Sequence, residues 1–178
     1  MEKWLKSEGE NILKQVGIRK GQKVLDFGCG SGIYSIIASK IVGSTGKIFA
    51  LDKNGEKIKE LRRKINSLKI KNIEIIVTTG EIPVSLENNS LNVILIYDVF
   101  HLLNKEDRHL FLQEVNRLLK IGGFLSYYIT HTKEYDVDLE EVNNQLIENN
   151  IVFKRKFQVP MAHWGSIEDG LIFNYYKI

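Results

Sequence analysis

The stretch Val24-Leu25-Asp26-Phe27-Gly28-Cys29-Gly30-Ser31-Gly32 concentrates more potential chemistry than any other part of the chain. An apolar run enters three glycines at alternate positions, and residues at helical spacing follow from Ile33. Glycines let the backbone turn tightly and let a ligand come close. The helix start beyond them offers free N–H groups at the positive end of its dipole, so a ligand carrying a carboxylate or phosphate suits such a loop. A purely structural glycine turn is the plain alternative. Asp26, just ahead of the loop, would repel a pyrophosphate but could face an ammonium group directly or through water. The dinucleotide fingerprint G-x-G-x-x-G needs its third glycine where this chain has Ile33; the spacing found is G-x-G-x-G.

Other candidates stand singly. His101 and His131 each fall just past the end of an apolar run, where a general base could be held. His163 and Trp164 lie between the last two apolar runs and read as turn residues, exposed or packed on each other. Tyr127 and Tyr128 read as sheet residues. The one cysteine, Cys29, excludes an intrachain disulfide and a cysteine-based zinc cluster. No metal-ligand spacing stands out, so no metal is expected.

The elements that must position these residues alternate in period. Apolar spacing predicts a helix over Glu2 to Val16, stopped by Gly17 and Gly21, and a second over Ile33 to Val42, ended by Gly43. Asn54 is a predicted N-cap before a face of Ile58, Leu61, Ile65 and Leu68. Asn104 is another, before a stripe of Phe111, Val115, Leu118 and Leu119 that Lys120 and Gly122-Gly123 end. Leu139, Val142, Leu146 and Ile147 mark one more helix. Strands are predicted at Lys23 to Phe27, Lys47 to Asp52, Ile73 to Val77, Leu91 to Tyr97 and Phe124 to Thr130. Two more follow near Ile151 to Val159 and Leu171 to Lys177. Alternating strands and helices imply a doubly wound α/β sheet, mostly parallel. The last two strands are joined by only about ten residues, Pro160 to Gly170, too few for a parallel crossover, so they form an antiparallel hairpin at one edge.

Composition sets the limits. The 178 residues suit one domain: an N-terminal helix within 1–20, a ligand-binding core over 23–130, and a helix and hairpin over 131–178. Hydrophobic residues make up 43% and charged residues 26%, which argues against wholesale disorder. The net charge of +3 does not call for a nucleic-acid partner. The basic tract Lys53, Lys57, Lys59, Arg62, Arg63, Lys64, Lys69 and Lys71 lacks interleaved aromatics for base stacking and reads as a solvated face. No apolar run approaches the roughly 20 residues that span a bilayer. Charges at Glu2, Lys3, Lys6 and Glu8 leave no visible leader, so the expected setting is the cytoplasm.

Asp26-Phe27-Gly28-Cys29-Gly30-Ser31-Gly32 resembles motif I of the class I S-adenosylmethionine-dependent methyltransferases, in the flavour of the ubiquinone and menaquinone enzymes. Asn89-Ser90-Leu91-Asn92-Val93-Ile94, Asp98-Val99-Phe100-His101-Leu102 and Arg117-Leu118-Leu119-Lys120-Ile121-Gly122-Gly123 follow in the family's order. Ile121 stands for the usual proline, Asn92 for an aspartate, and Glu81 for an aspartate in a slightly shortened connection. The resemblance implies a Rossmann-like seven-stranded sheet of order 3-2-1-4-5-7-6. It implies S-adenosylmethionine as cofactor, with Asp26, Gly28, Cys29, Gly30, Gly32, Asp52, Lys53, Gly80, Glu81 and Asp98 around it. Asp52 would hold the ribose hydroxyls, Gly80-Glu81 would lie near the adenine, and Asp98 near the methionine part. Simpler structural roles are a helix-entry carboxylate for Asp52 and a strand-end cap for Asp98. The implied reaction is methyl transfer to a small molecule by a monomer or homodimer, with His101 and His131 as candidate bases. The helix carrying Trp4, or a second subunit, could close the pocket. A nicotinamide-dependent oxidoreductase, a non-catalytic cofactor-binding scaffold and an RNA methyltransferase are the rivals. Cytosine-C5 and arsenic methylation are excluded because they need cysteines this chain lacks. Base amino-methylation is disfavoured because Tyr97-Asp98-Val99-Phe100 has no proline.

Overall fold

The computed structural model describes residues 3–178. A π-helical turn, Trp4–Glu8, runs into α1 (Gly9–Val16), which Gly17 ends at a φ of 129° with its N–H on the Leu13 carbonyl. Then follow β1 (Lys23–Phe27), α2 (Ile33–Val42), β2 (Lys47–Asp52), α3 (Gly55–Ser67), β3 (Ile73–Val77) and β4 (Leu91–Tyr97). The second half holds α4 (Lys105–Leu118), β5 (Leu119–Ile129), α5 (Leu139–Glu148), β6 (Ile151–His163) and β7 (Ser166–Lys177). All seven strands form one sheet of order β3-β2-β1-β4-β5-β7-β6. The first five are parallel; β7 runs antiparallel to both β5 and β6.

Alternation along the strands feeds two cores. Leu25, Phe27, Phe49 and Leu51 face α4 and α5, meeting Phe111, Leu112, Val115, Val142 and Leu146. Val24 and Ile48 face the other side, against Leu13, Ile37, Ala38 and Val42. Trp4 lies in this second core at 1% exposure, its indole N–H donating to the Pro160 carbonyl at 2.7 Å. It is therefore a packing residue that ties the N-terminal turn to β6, and not a pocket lid. No helix among the described residues is long and apolar enough to cross a membrane.

Asn54 caps α3 as predicted, accepting from the N–H groups of Glu56 and Lys57 at 3.1 Å each. Asn54→Ala is expected to cost about 1 kcal/mol, the usual weight of such a cap, read as a lower urea midpoint at unchanged slope. Asn104 caps α4 by accepting the Asp107 N–H at 2.9 Å.

Four expectations need correction. The stripe on α3 ends early, because the helix stops at Ser67 and Leu68 is exposed; Ile147 on α5 is exposed too. Gly122-Gly123 does not end α4. The helix stops at Leu118, where the Lys177 ammonium donates to the carbonyls of Asn116 and Leu119 at 2.6 and 2.9 Å. Gly123 is instead pressed against the Leu91 and Asn92 carbonyls of β4, which leave no room for a side chain. Lastly, the ten-residue connection from Pro160 to Gly170 is itself strand. The ladder continues to His163 and Ser166 and closes on Trp164-Gly165, both at positive φ (45° and 86°), the signature of a tight hairpin turn. Pro160 is tolerated because β6 is an edge strand. Gly170 is a packing glycine, since a Cβ there would sit 2.5 Å from Met161 and 2.8 Å from Tyr128.

Candidate functional site

The glycine loop joins the end of β1 to α2, at the carboxyl edge of the parallel strands and beside β4. The N–H groups of Gly28 and Cys29 both donate to the Leu51 carbonyl, at 2.8 and 2.9 Å, which fastens the loop to the end of β2. Its three glycines all have positive φ (78°, 53° and 82°) but serve different ends. A methyl on Gly28 would overlap the Val99 side chain, and one on Gly32 would overlap Leu61. A methyl on Gly30 would meet nothing within 4 Å. Gly28 and Gly32 therefore let neighbouring elements close in, while Gly30 leaves open space over the backbone where a ligand can approach.

Two carboxylates frame that space. Asp52 Oδ2 accepts the Gly30 N–H at 2.6 Å and Oδ1 accepts the Asn54 N–H at 2.8 Å, so this side chain locks the loop to the helix entry. Asp26 is 2% exposed and accepts the Ser35 hydroxyl at 2.5 Å. Burial pushes its carboxyl up to about 6; the Ser35 hydrogen bond opposes the rise and the Asp52 charge adds to it. A buried acid with one hydrogen-bond partner is a ready seat for a cationic group. Cys29 is buried and its thiol is driven up by desolvation, first, and then by the charges of Asp26 and Asp52, so it is no nucleophile.

The residues after β3 lie further out. Gly80, Glu81 and Lys53 are exposed, with a Gly80 Cβ position 3.9 Å from the Lys53 side chain. The Glu81 carboxylate is turned onto its own loop: it accepts from the Thr79 hydroxyl, from Thr78 Oγ1 at 3.1 Å and from the Thr79 N–H at 3.1 Å. These bonds, the Thr79 hydroxyl foremost, hold its pKa down to about 2. Arg117 acts nearby as a clamp, donating to the carbonyls of Val84 and Leu86 and pairing with Glu114, so it fixes the β3–β4 connection from behind.

Sequence distance hid the second half of the site. Asp98 follows β4 at a φ of 59°, His131 follows β5 at 51°, and His163 ends β6. Three of the four histidines converge here; His109 instead bonds Gln113 and Gln145 on the surface. His163 Nε2 lies 3.0 Å from Asp98 Oδ1 and 3.1 Å from His131 Nε2, and His131 Nε2 lies 3.9 Å from the same Asp98 oxygen. His131 Nδ1 pairs with Glu134, and His163 Nδ1 pairs with Glu168. Trp164 is 78% exposed, but its ring stacks over both imidazoles at 5.0 Å. His101 stands behind, 3% exposed, with Nδ1 3.2 Å from the Thr130 hydroxyl. Burial lowers its pKa and favours the neutral ring. Tyr127 and Tyr128 are buried sheet residues, though the Tyr128 hydroxyl reaches Glu168 at 3.3 Å.

Both candidate bases, His101 and His131, thus share one cluster, and it adjoins the glycine loop through the Gly28–Val99 contact. His163 is no simple turn residue, because the long hairpin carries it inward to Asp98. The one signal that could have found it is the Trp164-Gly165 pair, read as a two-residue turn with strand on both sides.

Residues 18–170 match a family described as a methyltransferase domain. Over 117 residues the chain is 35% identical to a demethylmenaquinone methyltransferase of Staphylococcus aureus; the match covers 65% of this chain and 46% of that protein. The chain therefore spans less than half the length of that relative. Among solved structures it is similar to a SAM-dependent methyltransferase from Aquifex aeolicus, at 26% identity and a TM-score of 0.77, covering 95% of this chain and 89% of the other. A TehB-like SAM-dependent methyltransferase from Corynebacterium glutamicum shares the fold at 16% identity and a TM-score of 0.72, covering 96% and 88%.

Proposed function

The chain belongs to the class I S-adenosylmethionine-dependent methyltransferases, and from that membership we propose that it moves a methyl group from S-adenosylmethionine to a small-molecule acceptor. The observation that carries the reading is the open backbone at Gly30, latched by Asp52 and backed by the buried acid of Asp26. The donor set fits the cofactor: open backbone at Gly30 for the methionine part, the Asp52 carboxylate at the end of β2 for the ribose hydroxyls, and the buried Asp26 carboxyl for its cationic end. Lys53, Gly80 and Glu81 would line the outer, adenine side, and Asp98 the side towards the acceptor. The cofactor supplies an electrophilic methyl on a sulfonium. The chain's own share is to hold and orient two partners, and such positioning alone can account for about 7–11 kcal/mol of a barrier.

The relatives' name supports a small acceptor such as a quinone ring. We read the 178 residues as one methyltransferase domain with a cytoplasmic setting; a single, buried cysteine suits a reducing compartment. Any general base would come from His101 or His131, each of which already has a partner on a ring nitrogen. His101 is turned to Thr130, and His131 Nε2 faces His163 and Asp98.

Titration calorimetry with S-adenosylhomocysteine, and separately with NAD(H), tests the reading. Wild type is expected to bind S-adenosylhomocysteine at micromolar concentration. Asp52→Ala is expected to weaken binding about tenfold or more, which is about 1.4 kcal/mol. It removes the ribose acceptor and also frees the Gly30 N–H. Absence of S-adenosylhomocysteine binding by the wild type overturns the proposal, and NAD(H) binding in its place moves the chain to hydride-transfer chemistry.

A further inference from the structure

We propose that Asp98, His131 and His163 bind one divalent transition-metal ion, of the zinc class, at the mouth of the cofactor cleft. Three donor atoms separated by 3.0, 3.1 and 3.9 Å define a triangle whose centre lies about 2.0 Å from each corner. Zinc bonds to imidazole nitrogen and carboxylate oxygen run about 2.0–2.2 Å. An ion slightly off the plane of the triangle reaches all three atoms with no movement of the chain.

The outer partners support the same reading. Each imidazole turns Nδ1 to a glutamate, Glu134 for His131 and Glu168 for His163. A carboxylate on Nδ1 fixes the hydrogen there and directs the Nε2 lone pair the other way, the usual arrangement of a metal-bound histidine. Two Nε2 lone pairs and an anionic oxygen then point at one another across 3.0–3.9 Å. Three acceptors so close repel unless a shared proton or a metal cation sits among them, and the glutamates on both Nδ1 atoms favour the metal. His101 offers one more ring nitrogen, since one ligand atom from each of Asp98, His101 and His131 lies within 4.8 Å of the others. The Trp164 ring stacks on both ligating imidazoles, with centroids 5.0 Å apart in each case.

Three protein ligands leave a coordination position open, as in catalytic rather than structural zinc sites. A water, hydroxyl or thiol is the ligand class for that position, so an acceptor bearing one could be held beside the cofactor. The metal site itself rests on the geometry of these side chains and not on the methyl-transfer reading.

The test is direct binding by the full chain, stripped with chelator and titrated with Zn²⁺ against a chromophoric competitor. Co²⁺ serves as a spectroscopic probe and Mg²⁺ as a hard-cation control. One zinc per chain is expected, with strong visible cobalt bands and no competition from Mg²⁺. His131→Ala and His163→Ala are expected to abolish tight binding. Glu134→Gln is expected to weaken it about 10–100-fold, and Glu134 is exposed enough that its loss leaves the fold intact. His109→Ala is expected to change nothing. A wild type that takes up no zinc, or whose zinc survives loss of His131 and His163, overturns the proposal and leaves a proton-shared histidine pair in its place. S-adenosylhomocysteine binding measured on the same samples separates the two readings: cofactor without zinc removes only the metal, and zinc without cofactor removes only the methyltransferase activity.

Discussion

Gly28→Ala is expected to cost about 2–5 kcal/mol of stability and to remove cofactor binding in whatever fraction still folds. Two effects add. A left-handed conformation costs an L-residue about 1–2 kcal/mol, and Gly28 sits at a φ of 78°. Forcing a methyl into filled space costs about 1–3 kcal/mol more. Here the space is filled by Val99, whose Cγ1 would lie 2.8 Å from the new Cβ. Val99 is β-branched and stiff at χ1, so it cannot simply turn aside. Relief must come from moving either the loop or the segment that follows Asp98. The loop carries the two N–H bonds to Leu51, and the segment carries His101 and adjoins Asp98, the partner of His163. The loss is a large share of the 5–15 kcal/mol typical of a domain. Gly30→Ala is the matched control: it meets the same conformational penalty but no neighbour, so it should lose about 1–2 kcal/mol while still obstructing the ligand. Urea denaturation of both variants, with S-adenosylhomocysteine titration, checks this. Equal losses for the two would show that Val99 exerts no pressure.

Asp26→Asn should raise the stability of the cofactor-free protein at neutral pH while lowering its affinity for cofactor. Asp26 titrates near 3.8 when unfolded and at about 6 when folded. Between those values the folded chain keeps a proton that the unfolded chain has released, so stability falls as pH rises. This contribution is most favourable below about pH 4, is lost up to about pH 6, and stays lost above. Two units of difference correspond to about 3 kcal/mol. Asparagine does not titrate and can still accept the Ser35 hydroxyl, so the variant lacks this fall and gains up to about 3 kcal/mol over wild type at pH 7. Other carboxylates cancel in the difference between the two stability curves from pH 4 to 8. Parallel curves would show that Asp26 is not desolvated as the geometry requires. The opposite effect on S-adenosylhomocysteine affinity, a loss of about tenfold from removing one charge-assisted contact, would identify the buried charge as a cost carried for binding.

The sequence by itself determined the element types and most of their bounds. Lys47–Asp52, Ile73–Val77, Leu91–Tyr97 and Ile33–Val42 occupy the residues that periodicity assigns to them. Local rules suffice there: apolar period, an asparagine cap, and glycines at positive φ are all written within a few neighbouring residues. The G-x-G-x-G loop with Asp26 was legible for the same reason, being one continuous stretch. Its division of labour was not, because what distinguishes Gly28, Gly30 and Gly32 is Val99, empty space and Leu61. The end of α4 depends on Lys177, some sixty residues away, and the burial of Trp4 on the Pro160 carbonyl. The length of the β6–β7 hairpin depends on β6 being an edge strand, where a proline breaks no ladder, and on Met161 and Tyr128 filling the place of a side chain at Gly170. That hairpin brings His163 to Asp98 and His131, three residues separated by 32 and 33 positions in the chain. Spacing could not reveal the triangle they form. A parallel sheet aligns the carboxyl ends of strands distant in sequence, and only the folded sheet decides which side chains meet there.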